Sequence, residues 1–179
     1  GLGDVYKRQL YPCLVDWLMG SLTDKLERKI KNKKARIGII GMGYVGIPLG
    51  LGFARMGFTV TGFDNDSARV KDINAGKQVM KHIPASSMKE FLNENNGSST
   101  NEFSKIRNMD CLIICVPTPL DEHKQPDMSY IKSASKEIGE NLKRGQLIVL
   151  ESTTYPGTTR EIVKPILEKS KLKAGKDFF

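Results

Sequence analysis

The chain has 179 residues and a formal charge of +8, from 28 Lys and Arg against 20 Asp and Glu. Three cysteines, Cys13, Cys111 and Cys115, are too few for a disulfide framework and favour a reducing, cytoplasmic setting, and no apolar run approaches the roughly 18 residues of a membrane span. The basic residues crowd into 25–36 with no aromatic residues interleaved, which argues against a nucleic-acid partner and for a solvated helix face.

The first 18 residues do not read like the rest. Gly1-Leu2-Gly3-Asp4-Val5-Tyr6 imitates a glycine loop, but no strand precedes it and Tyr6 takes the place of a third glycine. Residues 1–18 are expected to be a non-native leader, outside the fold. Residues 19–34 should form a short amphipathic helix. Ser21-Leu22-Thr23-Asp24 reads as a capping box, and Leu22, Leu26 and Ile30 share one helical face.

From Ala35 the chain alternates strand and helix. The expected elements are a strand over 35–40, a helix over 44–56 stopped by Gly57, and a strand over 59–64. Asp66 then caps a helix that runs to Ala75 and stops at Gly76. A short helix should cover 84–92, followed by a polar loop over 93–100 with no apolar content. Cys111 to Val116 is an unbroken apolar run, as in a parallel strand covered on both faces, and Pro117-Thr118-Pro119 ends it. A polar loop over 121–127 leads to a helix over 130–142. The last strand is 147–150 and the last helix 158–169, with Thr158 expected as its cap. This alternation predicts an α/β fold, a Rossmann-like doubly wound parallel sheet over 35–179.

The first strand ends in Gly41-Met42-Gly43-Tyr44-Val45-Gly46, a G-x-G-x-x-G loop opening a helix, and Asp64 closes the second strand 18 residues past Gly46. This is the dinucleotide-binding arrangement. Gly41 permits the turn, Gly43 lets the backbone approach a pyrophosphate, and Gly46 lets helix pack on strand. The helix N-terminus offers free N–H groups to phosphate. Asp64 would accept from both ribose hydroxyls and repel a 2′-phosphate, which favours NAD over NADP. Arg69, one turn into the next helix, leaves that choice open. The third and fourth strand ends carry stiff, hydroxyl-rich turns: Cys115-Val116-Pro117-Thr118-Pro119 and Glu151-Ser152-Thr153-Thr154-Tyr155-Pro156-Gly157. Hydroxyls so placed suit either helix capping or the holding of a nicotinamide, a water or a substrate. Cys111 and Cys115, four apart in a buried strand, read as core; His82 and His123 are isolated and read as solvent-facing loop residues. No metal site is expected.

Taken together, the glycine loop, Asp64 and the two turns resemble the UDP-glucose/GDP-mannose dehydrogenase family, the nucleotide-sugar 6-dehydrogenases. The resemblance spans about Met19 to Phe179. Lys81-His82-Ile83-Pro84, and Pro117 to Leu120 continuing to Pro126-Asp127-Met128-Ser129-Tyr130, look more like the UDP-N-acetylglucosamine branch than the UDP-glucose branch. What the resemblance implies is oxidation of a sugar C6 alcohol to a carboxylate in two hydride transfers to NAD, passing through a thioester on a cysteine. It implies cofactor contacts from Gly41, Met42, Gly43, Tyr44, Val45, Gly46, Asp64, Arg69, Val116, Pro117, Thr118, Glu151, Ser152 and Thr153. Val45 would lie at the pyrophosphate, Asp64 and Arg69 at the adenosine ribose, and Thr118 near the nicotinamide. Thr153 would be the catalytic threonine, holding a water or a developing oxyanion. Tyr155 stands where the family usually has proline.

The nucleophilic cysteine, the substrate lysine and asparagine and a catalytic glutamate are expected beyond Phe179, in a substrate domain that completes the UDP-sugar site. The full-length protein is expected to be a homo-oligomer, and this portion alone a non-catalytic NAD-binding module. A β-hydroxyacid dehydrogenase shares the glycine loop and the element order but does not need the two turns as they stand.

Overall fold

The computed structural model describes residues 20–93, 97–120, 122 and 125–179; the leader expected at 1–18 lies outside them. Helix α1, Leu22–Lys31, is started by the capping box: Ser21 Oγ accepts from the Asp24 N–H at 3.1 Å and Asp24 Oδ2 accepts from the Ser21 N–H at 2.9 Å. Those bonds hold the Asp24 carboxyl below its usual range. A basic side chain anchors the helix to the sheet. Lys29 Nζ lies 2.6 Å from Asp110 Oδ1, and Asp110 Oδ2 accepts from the Arg36 N–H at 2.9 Å.

Five strands follow: β1 (Arg36–Ile40), β2 (Thr59–Phe63), β3 (Gly97–Thr100), β4 (Cys111–Ile114) and β5 (Leu147–Leu150). All pair in parallel, in the order β3-β2-β1-β4-β5. The order reverses between β1 and β4, and ligands in open sheets of this kind bind at that switch point, beyond the carboxyl ends of the strands. Because side chains alternate along a strand, β4 feeds two cores. Cys111 and Ile113 join Ile37, Ile39 and Val60 under α2 (Gly46–Arg55), α3 (Ser67–Asn74) and α4 (Ala85–Asn93). Leu112 and Ile114 join Ile40 and Phe63 under α5 (Ser129–Asn141) and α6 (Lys164–Leu167). No helix among the described residues is long and apolar enough to cross a membrane.

Three sequence expectations are corrected here. The segment 93–100 is not a polar loop throughout, since Gly97–Thr100 forms the edge strand β3. Its pairing comes from backbone and short polar side chains rather than from apolar alternation. Ser99 Oγ donates to the Gly62 carbonyl at 3.2 Å. Asn74, at the end of α3, donates from Nδ2 to the Ser99 carbonyl and accepts the Ser99 N–H at Oδ1, both at 2.8 Å. One amide side chain thus caps the open edge as a neighbouring strand would, which blunts edge-to-edge pairing. At Gly97 a Cβ would fall on the ring of Phe91, so only glycine lets α4 lie over β3.

The last helix, expected unbroken over 158–169, is divided into a π-turn at Thr159–Val163, α6, and a 3-10 turn at Glu168–Ser170. Pro165 has no N–H to donate, and the Lys164 N–H reaches back five residues to the Thr159 carbonyl instead. Thr158 is not a side-chain cap: its hydroxyl donates to the Tyr155 carbonyl at 2.8 Å. At the β5 edge, the Phe179 N–H donates to the Gln146 carbonyl at 2.9 Å and its carbonyl accepts from the Ile148 N–H at 2.6 Å.

Substituting Asn74→Ala leaves the Ser99 N–H and carbonyl without this partner. Urea unfolding should show a loss of about 1–3 kcal/mol, with a greater tendency to self-associate. An unchanged midpoint would show that water replaces the side chain at no cost.

Candidate functional site

The carboxyl ends of β1, β2, β4 and β5 open onto one cleft of about 530 Å³. Its floor is fixed by backbone bonds that carry the ladder into the turns. The Gly41 N–H donates to the Phe63 carbonyl and the Cys115 N–H to the Ile40 carbonyl, both at 2.8 Å; the Glu151 N–H donates to the Ile114 carbonyl at 3.0 Å.

The glycine loop runs along one wall. Gly41 has φ +96°, the left-handed region that favours glycine, and its Cα faces the Cys115 carbonyl. At Gly46 a Cβ would fall on the Gly41 carbonyl oxygen, so the first turn of α2 rests directly on the loop that precedes it. Gly43 is the opposite case: nothing lies within 4 Å of where its Cβ would stand. A bare stretch of backbone therefore faces the cleft, at the N-terminus of a helix. Pro48 sits in that helix's first turn, where an N–H would have no intrahelical partner.

Asp64 closes the adjoining wall. Its side chain is buried, with 10% exposed, and both oxygens are engaged. Oδ2 accepts from the Met42 N–H at 2.9 Å and from Arg69 Nη1 at 3.2 Å; Oδ1 accepts from the Asp66 N–H at 2.9 Å. The carboxylate that ends β2 thereby holds the glycine loop of β1.

Across the cleft stand the turns after β4 and β5. Ser152 Oγ donates to the Val116 carbonyl at 2.7 Å, joining one turn to the other. That hydroxyl is committed to the scaffold. The hydroxyls of Thr118 and Thr153 make no hydrogen bond among the described residues, and both residues line the cleft. Thr153 does not cap a helix.

Of the residues singled out in the sequence, the cleft brings together Gly41, Gly43, Tyr44, Val45, Asp64, Arg69, Val116, Pro117, Thr118, Glu151, Ser152 and Thr153. Met42 and Gly46 are not in its lining. The Met42 side chain is buried under β2, where a Cβ on Gly62 would strike it, and only its backbone N–H faces Asp64. Gly46 acts by letting the helix close.

The sequence reading missed Asn65, Met80, Phe103, Tyr130, Ser133 and Glu137, which also line the cleft. Tyr130, Ser133 and Glu137 fall three and four apart on α5, so helical spacing carried a usable signal. Phe103 lies in a 3-10 turn without periodicity and packs against Phe63, ring centroids 5.9 Å apart. His82 is exposed as expected, and its ring also stacks on Tyr44 with centroids 5.8 Å apart and planes at 12°.

Cys111 and Cys115 are buried, and burial pushes each thiol up to about 11, helped by Asp110 near Cys111 and by Glu151 near Cys115. Neither is a thiolate at neutral pH, so neither is a ready nucleophile. Among the described residues, no group of three or more His, Cys, Asp and Glu side chains is placed to hold a metal ion.

A bare glycine backbone at a helix N-terminus, an acid at the end of β2, and a cleft at the switch point together fit a dinucleotide. Residues 35–178 match the model of the UDP-glucose/GDP-mannose dehydrogenase family, NAD binding domain. The chain belongs to that family. It is 38% identical over 148 residues to a UDP-N-acetyl-D-glucosamine 6-dehydrogenase of Pseudomonas aeruginosa, covering 82% of this chain and 34% of the relative. A UDP-N-acetyl-D-mannosamine dehydrogenase of Pyrococcus horikoshii is 34% identical, covering 80% of this chain and 34% of the relative. Among solved structures, a ternary complex of GDP-mannose dehydrogenase from Pseudomonas aeruginosa aligns with a TM-score of 0.77 and 32% identity, over 80% of this chain and 34% of that one. The chain thus spans about a third of the length of these relatives. It is the NAD-binding domain of a nucleotide-sugar dehydrogenase family, with the Rossmann-like fold the sequence predicts.

The two glycines should separate under mutation. Gly46→Ala drives a methyl group into the Gly41 carbonyl and should cost about 1–3 kcal/mol or more in denaturant unfolding. Gly43→Ala meets open space and should leave the unfolding midpoint within about 0.5 kcal/mol of the parent. Equal losses would mean that Gly43 is also a packing glycine.

Proposed function

We propose that this chain is the cofactor-binding part of an NAD-dependent UDP-N-acetylglucosamine 6-dehydrogenase, which converts the sugar C6 alcohol to a carboxylate for polysaccharide precursors. The observation that carries this reading is the single cleft joining the bare backbone of Gly43, the Asp64 carboxylate and two unpaired threonine hydroxyls. Two of the relatives, from Pseudomonas aeruginosa and Salmonella typhi, are UDP-N-acetyl-D-glucosamine 6-dehydrogenases at 38% and 37% identity, which supports the N-acetylglucosamine branch. The mannosamine relatives and the GDP-mannose structure support the coarser class equally well.

NAD, when bound, supplies the hydride acceptor. The chain's own residues bind and orient. Backbone N–H groups at the start of α2 hold the pyrophosphate, and Asp64 accepts from the adenosine ribose, with Arg69 beside it. Met42 contributes through its backbone, which Asp64 fixes. Val116, Pro117 and Thr118 form a stiff ledge for the nicotinamide side, tied to Glu151 and Ser152 by the Ser152 hydroxyl. Thr153 presents its hydroxyl to the reacting end, where it holds a water or a developing oxyanion. The nucleophile and the sugar contacts come from the substrate domain, since Cys111 and Cys115 are buried and protonated. In the assembled enzyme the partners are a UDP-sugar and further copies of the same chain, in the cytoplasm.

Two measurements test this. Calorimetry on this chain should show NAD⁺ binding, and Gly43→Ala should weaken it by at least about tenfold, because a methyl group would stand where phosphate oxygens approach. An enzyme carrying this domain joined to its substrate domain should form NADH fastest with UDP-N-acetylglucosamine; faster turnover of UDP-N-acetylmannosamine or UDP-glucose would overturn the branch assignment.

In that enzyme Thr153→Val should lower turnover by about a hundredfold to a thousandfold with NAD⁺ affinity kept. Near-parental turnover would remove Thr153 from the chemistry.

A further inference from the structure

We infer that Asp66, together with Asp64, sets the choice of NAD over NADP, by keeping the Arg69 guanidinium from a 2′-phosphate. This rests on the reading of the cleft as a dinucleotide site. Asp64 is the acid expected to refuse a 2′-phosphate, and Arg69 is the cation that would accept one. In the structure the arginine is claimed on both sides. Its Nη1 lies 3.2 Å from Asp64 Oδ2 and its Nη2 lies 3.8 Å from Asp66 Oδ2. Arg69 lines the cleft with 40% of its side chain exposed, and Asp66, 50% exposed, stands beside it just outside the lining.

Without the Asp64 carboxylate, the site turns towards anions. The N–H groups of Met42 and Asp66 lose their acceptor, and Arg69 loses the one carboxylate it hydrogen-bonds, keeping only the looser ion pair with Asp66. Two backbone donors and a guanidinium then converge where a carboxylate stood, which is the donor set that phosphate takes. One group spoils it: the Asp66 carboxylate still neutralises Arg69 and repels the incoming dianion. Removing Asp64 alone should therefore not convert the cofactor preference. Removing the charge of Asp66 as well should.

Asp66 also caps α3, its Oδ1 accepting from the N–H groups of Ala68 and Arg69 at 3.0 and 3.1 Å. Asp66→Asn keeps that oxygen acceptor and removes only the charge, so it isolates the electrostatic role.

The test is calorimetric titration of this chain with NAD⁺ and NADP⁺, at low and at raised salt, on the parent, Asp66→Asn, Asp64→Ser, and the Asp64→Ser/Asp66→Asn pair. The parent should bind NAD⁺ well above NADP⁺. Asp66→Asn alone should fold, keep NAD⁺ binding and raise NADP⁺ affinity several-fold. The double variant should bind NADP⁺ about tenfold or more tighter than Asp64→Ser, the size expected for hydrogen bonds to a charged group. That gain should shrink with salt and vanish when Arg69→Ala is added. If Asp66→Asn leaves NADP⁺ affinity unchanged, the proposal fails, and this arm decides the matter even where Asp64→Ser does not fold. A parent that binds no NAD⁺ would overturn the cofactor reading and this proposal with it. NAD⁺ binding without any effect of Asp66 would overturn this proposal alone.

Discussion

Asp64 holds the site together before any ligand arrives. Its carboxylate, buried at the end of β2, accepts the Met42 N–H of the glycine loop and the Asp66 N–H at the start of α3. It thereby joins the turns after two neighbouring strands. The loop so held turns sharply at Gly41 and is pressed from the other side by α2, which approaches closely because Gly46 has no side chain. A buried carboxylate is stable only where its oxygens find donors. The same three donors that stabilise it fix the geometry of the cleft. In the proposed binding mode, a ribose diol would share an acceptor that already has partners, so binding would depend on a preformed arrangement.

The far wall is built on another logic. β4 is buried on both faces and its turn leaves the sheet through two prolines, so the ledge at Val116 to Pro119 is stiff by covalent geometry. Ser152 ties the β5 turn to it through the Val116 carbonyl. Thr118 and Thr153 line the cleft with hydroxyls that make no hydrogen bond among the described residues. The thiols of Cys111 in β4 and of Cys115 just after it are pushed up to about 11, so neither is a ready nucleophile. At the opposite end of the strands, Lys29 and Asp110 attach α1, so the basic N-terminal segment is joined to the sheet far from the cleft.

What the sequence revealed follows from which forces leave a pattern in it. The glycine loop was legible because each glycine answers a steric demand: φ at Gly41, open space at Gly43, contact at Gly46. β1, β2 and β4 were legible because a buried parallel strand is a short apolar run. β3 was not, because Gly97-Ser98-Ser99-Thr100 is held by backbone pairing, the Ser99 hydroxyl and the side chain of Asn74, none of which alternates in hydrophobicity. Thr158 has the residue type of a cap but spends its hydroxyl on Tyr155, and Pro165 divides a helix whose apolar spacing looks continuous. Met42 sits inside the fingerprint, yet its side chain belongs to the core. The face of α5 carrying Tyr130, Ser133 and Glu137 was hidden because the packing of a helix over a cleft is a tertiary fact.

One preformed cleft, held by Asp64, is proposed to receive the dinucleotide. Titration of isotope-labelled chain with NAD⁺, followed by backbone amide NMR, tests it most directly. Shifts should be concentrated at Gly41 to Gly46, Asp64 to Asp66, Cys115 to Thr118 and Glu151 to Thr153, with the amides of α1 and of the Ala174–Phe179 segment unmoved. Shifts centred on that segment or on α1, or spread evenly over both faces of the sheet, would contradict it.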